Sequence, residues 1–370
     1  MNAPAALGGR LREHRGTRNE HPIRLMIVDD SAIARSVLSR MLTFYDDFEV
    51  VALAGSASEA LDALKSVRVD IVLLDVEMPG GSGLDALPEI LRQGGGARVM
   101  MLSSICEDGA DATVRALSLG AADTLPKPGT GNFAGHFSTT LADRIRRIGH
   151  ARVERSFAPT DAAPPATVYL RAMPEWKLGC LAIGASTGGL HAINEFLRAL
   201  PPKLDAPILI TQHLPALFVP FFARQLQGVA GRTAIVAEEG QLLANDQICI
   251  APGDAHLTLE RSGARVRVRL STAPAASGCL PSIDPMLASV AECYGKSGIG
   301  VMLSGMGRDG VEGSRRLVDG GGAMLAQDHS SSAVWGMPRA VAEAGLACAV
   351  LPPAALARRV AARIEGASWK

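Results

Sequence analysis

Short apolar runs alternate with amphipathic stretches along most of the chain, and the alternation forms two blocks. In the first block, residues 23–148, five runs of Val, Ile, Leu and Met have the length and continuity of buried parallel strands. The predicted strands are Leu25–Val28, Val50–Leu53, Ile71–Leu74, Val99–Leu102 and the weaker Ala122–Leu125. Between them apolar residues follow helical spacing, as at Ile33, Val37, Leu38 and Met41. We therefore predict a doubly wound, flavodoxin-like α/β domain.

The second block, residues 177–370, repeats this strand–helix rhythm. Its predicted strands are Cys180–Ile183, Ile208–Gln212, Ala234–Val236, Ile248–Ala251, Val301–Leu303, Met324–Gln327 and Cys348–Leu351. Two further runs, His256–Glu260 and Arg265–Leu270, flank the turn-like segment Arg261–Ala264 and predict a hairpin. This block is expected to be a second α/β domain, with a mostly parallel sheet and an antiparallel insert.

The rest of the chain lacks this rhythm. Residues 149–176 are rich in Ala, Pro and Thr and predict an interdomain linker. Residues 1–22 have no apolar core segment, so we expect a disordered tail rather than a signal peptide or an anchor.

Composition excludes several classes of protein. Lys plus Arg and Asp plus Glu each number 37, so the net charge of zero indicates neither nucleic-acid binding nor attraction to anionic membranes. No apolar stretch approaches the length of a transmembrane helix, so direct membrane insertion is not expected. The six cysteines are scattered without a C-x-x-C pair, which is typical of free thiols in a reducing cytosol. A cytoplasmic protein is predicted.

Acidic residues follow two of the predicted strands of the first domain. Asp29, Asp30 and Asp75 should meet at the crevice of a doubly wound sheet, where crowded carboxylates favour Mg²⁺. Ser103 and Lys127 end two more strands and could bind a phosphoryl group carried by Asp75. Taken singly, each Asp is as consistent with a cap or turn residue, and the Lys with a loop residue.

The second domain begins with a glycine-rich bend. In Gly184–Gly189 a serine, Ser186, lies between a strand and a helix with the spacing of a nucleophile elbow. The same pattern is compatible with a dinucleotide phosphate loop or with a tight packing turn.

A nucleophilic serine needs a base, and later strand ends supply candidates. His213 and Asp309 follow two other strands, so Ser186, His213 and Asp309 can converge at one sheet edge and form a catalytic triad. Backbone N–H groups near Thr187 and in the turn 304–307 could stabilise an oxyanion. His256 and His191 compete as bases, although the first opens the hairpin and the second should point away along the helix. A structural histidine and a turn aspartate are the alternative interpretation.

In the first domain the motifs occur in order on successive strand ends. It resembles the response-regulator receiver family through Val28–Ser31, Leu74–Gly80, Leu102–Ser104 and Lys127–Pro128. The resemblance implies phosphorylation of Asp75 by a histidine kinase of the CheA type, with Ser103 and Lys127 sensing the phosphate. It further implies Mg²⁺ bound by Asp30, Asp75 and the backbone carbonyl of Glu77, with Asp29 assisting. Receivers commonly carry an aromatic residue where this chain has Thr124, so the readout of Ser103 should differ.

The second domain is similar to the catalytic domain of the CheB protein-glutamate methylesterases. The similarity rests on Ile183–Gly189, Gln212–Pro215, Ala251–Asp254, Pro281–Asp284, Leu303–Gly310 and Gly336–Pro338. It implies the triad Ser186, His213 and Asp309, with the N–H groups of Thr187 and Met306 in the oxyanion hole and no cofactor in this domain. The chain departs from the family pattern at Arg308, where Asn is frequent, and at Leu280, where Arg is frequent.

The two resemblances together imply a phosphorylation-activated hydrolase. It would demethylate glutamyl methyl esters on cytoplasmic helices of methyl-accepting chemoreceptors, release methanol and deamidate glutamines. We hypothesise that the unphosphorylated receiver covers the Ser186 edge. Two other classes stay open at this point: a dinucleotide-dependent oxidoreductase that uses Gly184–Gly189 as a phosphate loop, and a catalytically idle docking module.

Overall fold

A computed structural model describes residues 22–78, 82–103, 107–127, 134–156, 169–263 and 265–363, without the side chains of 107–109, 134–136 and 150–156. The predicted tail, apart from residue 22, and residues 157–168 of the predicted linker lie outside these ranges. No helix within them is both long and apolar enough to cross a membrane.

The N-terminal domain is a five-stranded parallel sheet with helices between the strands. Its strands are β1 (Ile23–Val28), β2 (Phe48–Ala54), β3 (Ile71–Asp75), β4 (Arg98–Ser103) and β5 (Asp123–Pro126). Its helices are α1 (Ala32–Leu42), α2 (Ala57–Leu64), α3 (Gly83–Gln93), α4 (Glu107–Leu119) and α5 (Ala134–Ser156). The strand order β2-β1-β3-β4-β5 is that of the flavodoxin-like fold, as predicted. Strand order reverses between β1 and β3, which places the crevice beside the ends of these strands.

Helix α5 continues to Ser156, past residue 148, where the apolar pattern of the sequence ends. Gly149 allows this continuation because a Cβ atom there would lie 2.5 Å from Cδ1 of Ile23, which packs against the helix backbone. The domain limits drawn from the sequence stay a prediction.

The C-terminal domain contains a seven-stranded sheet and a separate hairpin. The strands are β6 (Cys180–Ala185), β7 (Ile208–Gln212), β8 (Ala234–Val236), β9 (Ile248–Ile250), β10 (His256–Ser262), β11 (Arg265–Ser271), β12 (Gly298–Met302), β13 (Ala323–Gln327) and β14 (Ala347–Leu351). The helices are α6 (Gly189–Arg198), α7 (Val219–Ala230), α8 (Ile283–Tyr294), α9 (Val311–Asp319), α10 (Met337–Glu343) and α11 (Pro353–Ala361). The sheet order is β14-β13-β12-β6-β7-β9-β8 with every pair parallel, and β10 and β11 form the predicted antiparallel hairpin.

The centre of this sheet determines where functional side chains meet. Strand β6 pairs with β7 on one side and with β12 on the other, and all residues of the three strands are buried. Strand order reverses between β6 and β12, which is where open α/β sheets bind their ligands. Residues that follow these three strands therefore share one carboxyl edge.

Candidate functional site

His213 and Asp309 form a hydrogen-bonded pair at this edge. His213 directly follows β7, and Asp309 lies in the loop after β12. Nε2 of His213 lies 2.7 Å from Oδ2 of Asp309. The Asp309 side chain is 2% exposed and that of His213 is 18% exposed. The imidazole is therefore held by a buried carboxylate, as general bases in hydrolases are.

The Asp309 carboxylate accepts two further hydrogen bonds. The Ser282 hydroxyl donates to Oδ1 over 2.6 Å, and the backbone N–H of Ile283 donates to Oδ2 over 2.8 Å. Burial raises the pKa of Asp309, but the hydrogen bonds from His213, Ser282 and Ile283 outweigh burial and hold the pKa well below its usual range. Asp309 is therefore an anion that fixes the tautomer of the imidazole.

Electrostatics favour the protonated form of His213. Burial lowers its pKa, but the hydrogen bond to Asp309 and the side chain of Cys279 outweigh burial and raise the pKa to about 9. An imidazolium formed when this ring takes a proton is thus stabilised by its surroundings.

Ser186 lies at the bend between β6 and α6, beside His213. The strands pair with Ala185 opposite Gln212, and the N–H of His213 donates to the carbonyl of Ala185 over 3.0 Å. The chain then turns through Gly188, whose φ of +73° an L residue rarely adopts. Among the described residues the Ser186 hydroxyl has no hydrogen-bond partner, so its bond to His213 is not formed in this structure. Such bonds often form only when substrate is bound.

Backbone hydrogen bonds hold this bend in place. The Gln212 side chain donates to the carbonyl of Ser186 over 2.9 Å, and the N–H of Ser186 donates to the carbonyl of Ser304 over 2.9 Å. The Ser304 hydroxyl donates to the carbonyl of Thr187 over 2.8 Å. The serine is therefore presented by a rigid turn.

Two backbone donors remain available beside Ser186. In the part of the chain that the structure describes, the N–H groups of Thr187 and Met306 donate to no protein acceptor. Between them Gly305 allows a close approach, since a Cβ atom there would lie 2.8 Å from Cβ of Ser186. Two free N–H groups near a hydroxyl are suited to bind an oxyanion.

The N-terminal crevice holds a second cluster, which is made of acidic residues. One carboxylate oxygen each of Asp29, Asp30 and Asp75 lies within 4.8 Å of the others. Nζ of Lys127 lies 2.8 Å from Asp29 and 2.7 Å from Asp75, whose side chains are 1% and 5% exposed. The ammonium group of Lys127 thus contacts two of the three carboxylates. The carboxylate oxygens are hard donors, which is the ligand type that Mg²⁺ prefers.

Burial is the main influence on the pKa of Asp75, the residue that the sequence predicts as the phosphorylation site. Burial raises this pKa, and the hydrogen bond from Lys127 only partly offsets the effect. The N–H of Glu77 lies 3.4 Å from Oδ1 of Asp75, which places its backbone beside the pocket. The Ser103 hydroxyl is buried and accepts a hydrogen bond of 3.2 Å from Thr113.

Comparison with known proteins identifies the chain. The sequence profile of the CheB methylesterases matches residues 181–360, and that of the response regulator receiver domain matches residues 25–132. The protein-glutamate methylesterase/protein-glutamine glutaminase 1 of Paramagnetospirillum magneticum is 39% identical over an alignment of 354 positions that covers 89% of this chain and 93% of that protein. A second relative, from Cupriavidus pinatubonensis, has the same name with the number 2. It is 41% identical over 92% of this chain and 96% of its own length. The chain belongs to the CheB methylesterase family.

One solved structure is similar to about half of the chain. The catalytic domain of Thermotoga maritima CheB methylesterase is 33% identical and covers 50% of this chain and 97% of its own, with a TM-score of 0.49.

The competing histidines of this CheB-family chain have other partners. Nε2 of His256 is bonded to the carbonyl of Ala273 at 2.8 Å, and its Nδ1 accepts from the N–H of Ser282 at 2.8 Å. Nδ1 of His191 is bonded to the carbonyl of Ser118 at 3.0 Å. His256 therefore stabilises the loop before α8, and His191 forms a hydrogen bond between the two domains.

Three residues near the site received no role from sequence reasoning. Gln212 and Ser282 stood inside the motifs Gln212–Pro215 and Pro281–Asp284, which were the only signal for them. No motif pointed to Cys279, because it lies far from His213 in the sequence although the two side chains are close in the fold.

The receiver contacts the methylesterase domain beside Ser186. Helix α4 packs against α6 and α7, and the N–H of Gly188 donates to the carbonyl of Ala122 over 3.1 Å. Together with the bond between His191 and Ser118, this contact joins the segment that connects α4 to β5 with the serine bend.

Proposed function

We propose that this chain hydrolyses glutamyl methyl esters of chemoreceptor cytoplasmic helices. The observation that carries the proposal is the hydrogen bond of His213 to the buried Asp309, beside the serine bend at the switch point of the sheet. The names of the two relatives give methyl esters of protein glutamate as their substrates, which supports the ester part of the proposal.

The chemistry follows from the residues at this edge. His213 takes the proton of Ser186 as the hydroxyl oxygen attacks the ester carbonyl, and the N–H groups of Thr187 and Met306 bind the oxyanion. The proton passes to the leaving methoxide, which departs as methanol and leaves an acyl-enzyme. His213 then activates water, which releases the glutamate carboxylate and restores the serine. Asp309 remains ionised throughout and stabilises the imidazolium.

The same steps deamidate glutamine when the leaving group is ammonia. An amide is less reactive than a methyl ester, so this second reaction is expected to be slower. The methylesterase domain carries out both reactions with its own side chains.

We propose that the receiver takes a phosphoryl group on Asp75 from a histidine kinase of the CheA type. Asp29, Asp30, Asp75 and the carbonyl of Glu77 would hold Mg²⁺, which when bound supplies positive charge to offset that of the phosphoryl group. Lys127 contributes a second cation and Ser103 a hydroxyl donor.

Control of the esterase is proposed to act through the contact beside Ser186. In the unphosphorylated protein the carbonyl of Ala122 meets Gly188, two residues from the nucleophile, and so limits access for a receptor helix. Phosphorylation of Asp75 shifts the equilibrium of this contact towards the open arrangement. We further propose a cytoplasmic location, where receptor helices and kinase are both accessible.

Methanol release from methylated receptor tests the proposal, with and without a small-molecule phosphodonor. Wild type should release methanol and respond to the donor, whereas Ser186→Ala should lose release under both conditions. Asp75→Ala should retain basal release without a response. Release that persists in Ser186→Ala would overturn the triad, and no release from wild type would favour a docking module. A normal donor response in Asp75→Ala would overturn only the proposed control.

A further inference from the structure

A cysteine lies against the catalytic histidine. Sγ of Cys279, a ring nitrogen of His213 and a carboxylate oxygen of Asp309 lie within 4.8 Å of one another. Cys279 belongs to the loop before α8 and is partly exposed, so the cluster is open to solvent. The esterase reaction described above uses His213 and Asp309 but not this thiol.

We propose that Cys279, His213 and Asp309 form a binding site for a thiophilic divalent cation such as Zn²⁺, and that the bound cation inhibits the esterase. Thiolate sulfur, imidazole nitrogen and carboxylate oxygen are the three donor types that proteins use for zinc. Mg²⁺ prefers oxygen donors only, so this site differs in selectivity from the acidic pocket of the receiver.

The surroundings hold two of the donors in position. Asp309 is fixed by Ser282 and the N–H of Ile283, and in turn it orients His213. Nε2 of His213 faces Asp309, so a cation that binds both residues takes the place of the proton between Nε2 and Oδ2, and this proton is released to solvent.

The third donor lies at the same ring. Sγ of Cys279 is 3.9 Å from the carbonyl of Ser277 and also contacts His213, whose pKa it helps to raise. In a tetrahedral zinc site with bonds of about 2.0–2.3 Å, donor atoms lie roughly 3.3–3.8 Å apart. The three donor atoms lie within 4.8 Å of one another and Nε2 lies 2.7 Å from Oδ2, so shifts of about 1 Å bring the cluster to that spacing.

Inhibition follows from competition for one ring. A cation bound between His213 and Asp309 takes away the carboxylate that stabilises the imidazolium and puts positive charge beside the ring, so the ring no longer accepts the proton of Ser186. The site would therefore link esterase activity to the concentration of available zinc, independently of the receiver.

Zinc titration of methanol release in the full-length protein tests the inference, with each variant normalised to its own metal-free rate. The zinc concentration that halves the rate should rise more than about tenfold in Cys279→Ser, since even loss of a ligand's hydrogen-bond partner commonly weakens metal sites about 10- to 100-fold. Cys348→Ser is the matched control, because this other partly exposed cysteine lies at β14 and should leave zinc inhibition unchanged. A chelator should restore activity.

A second measurement does not depend on catalysis. Cd²⁺ added to Ser186→Ala should produce the ultraviolet charge-transfer band of a cadmium–thiolate bond, and the band should disappear in Ser186→Ala/Cys279→Ser but persist in Ser186→Ala/Cys348→Ser. Equal bands in the two double variants, or equal zinc inhibition of Cys279→Ser and wild type, would overturn the inference. Because the band needs no esterase activity, the inference and the proposed function can fail separately.

Discussion

Ser282 connects the beginning of α8 to the catalytic carboxylate. Its hydroxyl donates to Asp309 and also accepts from the N–H of Asp284, where it caps the helix. Removing one of the hydrogen bonds to this buried carboxylate is costly, because the charge is then left without a partner. A residue with no place in the chemistry therefore determines the orientation of His213.

Replacing Ser282 with Ala should lower kcat/KM about tenfold, because a hydrogen bond to a charged group is worth about 1.5–3 kcal/mol and part of it orients the triad. Ser289→Ala is the matched control, since that buried hydroxyl of α8 donates to the carbonyl of Met286 and has no contact with the triad. Thermal unfolding of both variants separates the lost helix cap from lost catalysis. A folded Ser282→Ala protein with the wild-type rate would refute this role.

The pH profile of kcat/KM should show the raised pKa of His213. The ring must be neutral to accept a proton, so activity is present above its pKa and is lost as the pH falls through it. With the pKa at about 9, the rate should still increase with pH above about 8, where an ordinary histidine with a pKa of about 6.5 has nearly finished titrating.

The variant Asp309→Asn tests whether the carboxylate of Asp309 causes the raised pKa of His213. Loss of the carboxylate charge should move the acid limb to lower pH and also reduce the maximal rate. An acid limb near pH 6.5 in both proteins would contradict the prediction.

At the level of elements, α4 of the receiver and α6 of the methylesterase domain form the contact that the control hypothesis needs. The apolar side chains of α6 face the core, and they belong to one cluster that also contains Val114 and Leu117 of α4. The pattern of one helix in the sequence does not reveal which helix of another domain will meet it.

His191→Ala should raise basal esterase activity and reduce the relative response to a phosphodonor. The variant loses the hydrogen bond to the Ser118 carbonyl, which we expect to weaken the closed arrangement by about 0.5–1.5 kcal/mol, or a factor of about 2 to 10 in the open population. Arg198→Ala, on the exposed last turn of the same helix, is the control and should behave like wild type. Lower basal activity in His191→Ala would contradict a restraining role for this contact.

For the whole molecule, the acidic pocket and the pair of His213 with Asp309 lie in separate domains, and the proposed function gives them separate steps. Three carboxylates with one ammonium make the receiver pocket attractive to Mg²⁺. A ligand that binds only the folded state stabilises it, by about 2.7 kcal/mol at a concentration 100 times its Kd.

Millimolar Mg²⁺ should therefore raise the midpoint of thermal unfolding, and Asp30→Asn should remove most of this increase. Asp46→Asn changes another exposed carboxylate of the same domain, outside the pocket, and should retain the increase. Differential scanning calorimetry in Mg²⁺ and in chelator makes the comparison. An equal increase in Asp30→Asn and wild type would show that the ion binds elsewhere.

Much of this organisation was predictable from the chain alone. Continuous apolar runs gave the strands of both sheets within a few residues, because a strand covered on both faces must be apolar at every position. That His213 and Asp309 meet was predictable because both follow such runs, and parallel strands end at one edge. The proximity of Asp29, Asp30 and Asp75 was predictable for the same reason, whereas the roles of all these residues stay predictions.

The tertiary structure decided the matters that depend on distance through space. The hydrogen bonds of Asp309 to Ser282 and Ile283, the second partner of His256 and the approach of Cys279 to His213 join segments far apart in sequence. No local pattern encodes these contacts, since they arise from the order of strands in the sheet and the path of the loop before α8. The sequence by itself determined which residues end the strands, and only packing determined which partners give them their charge and orientation.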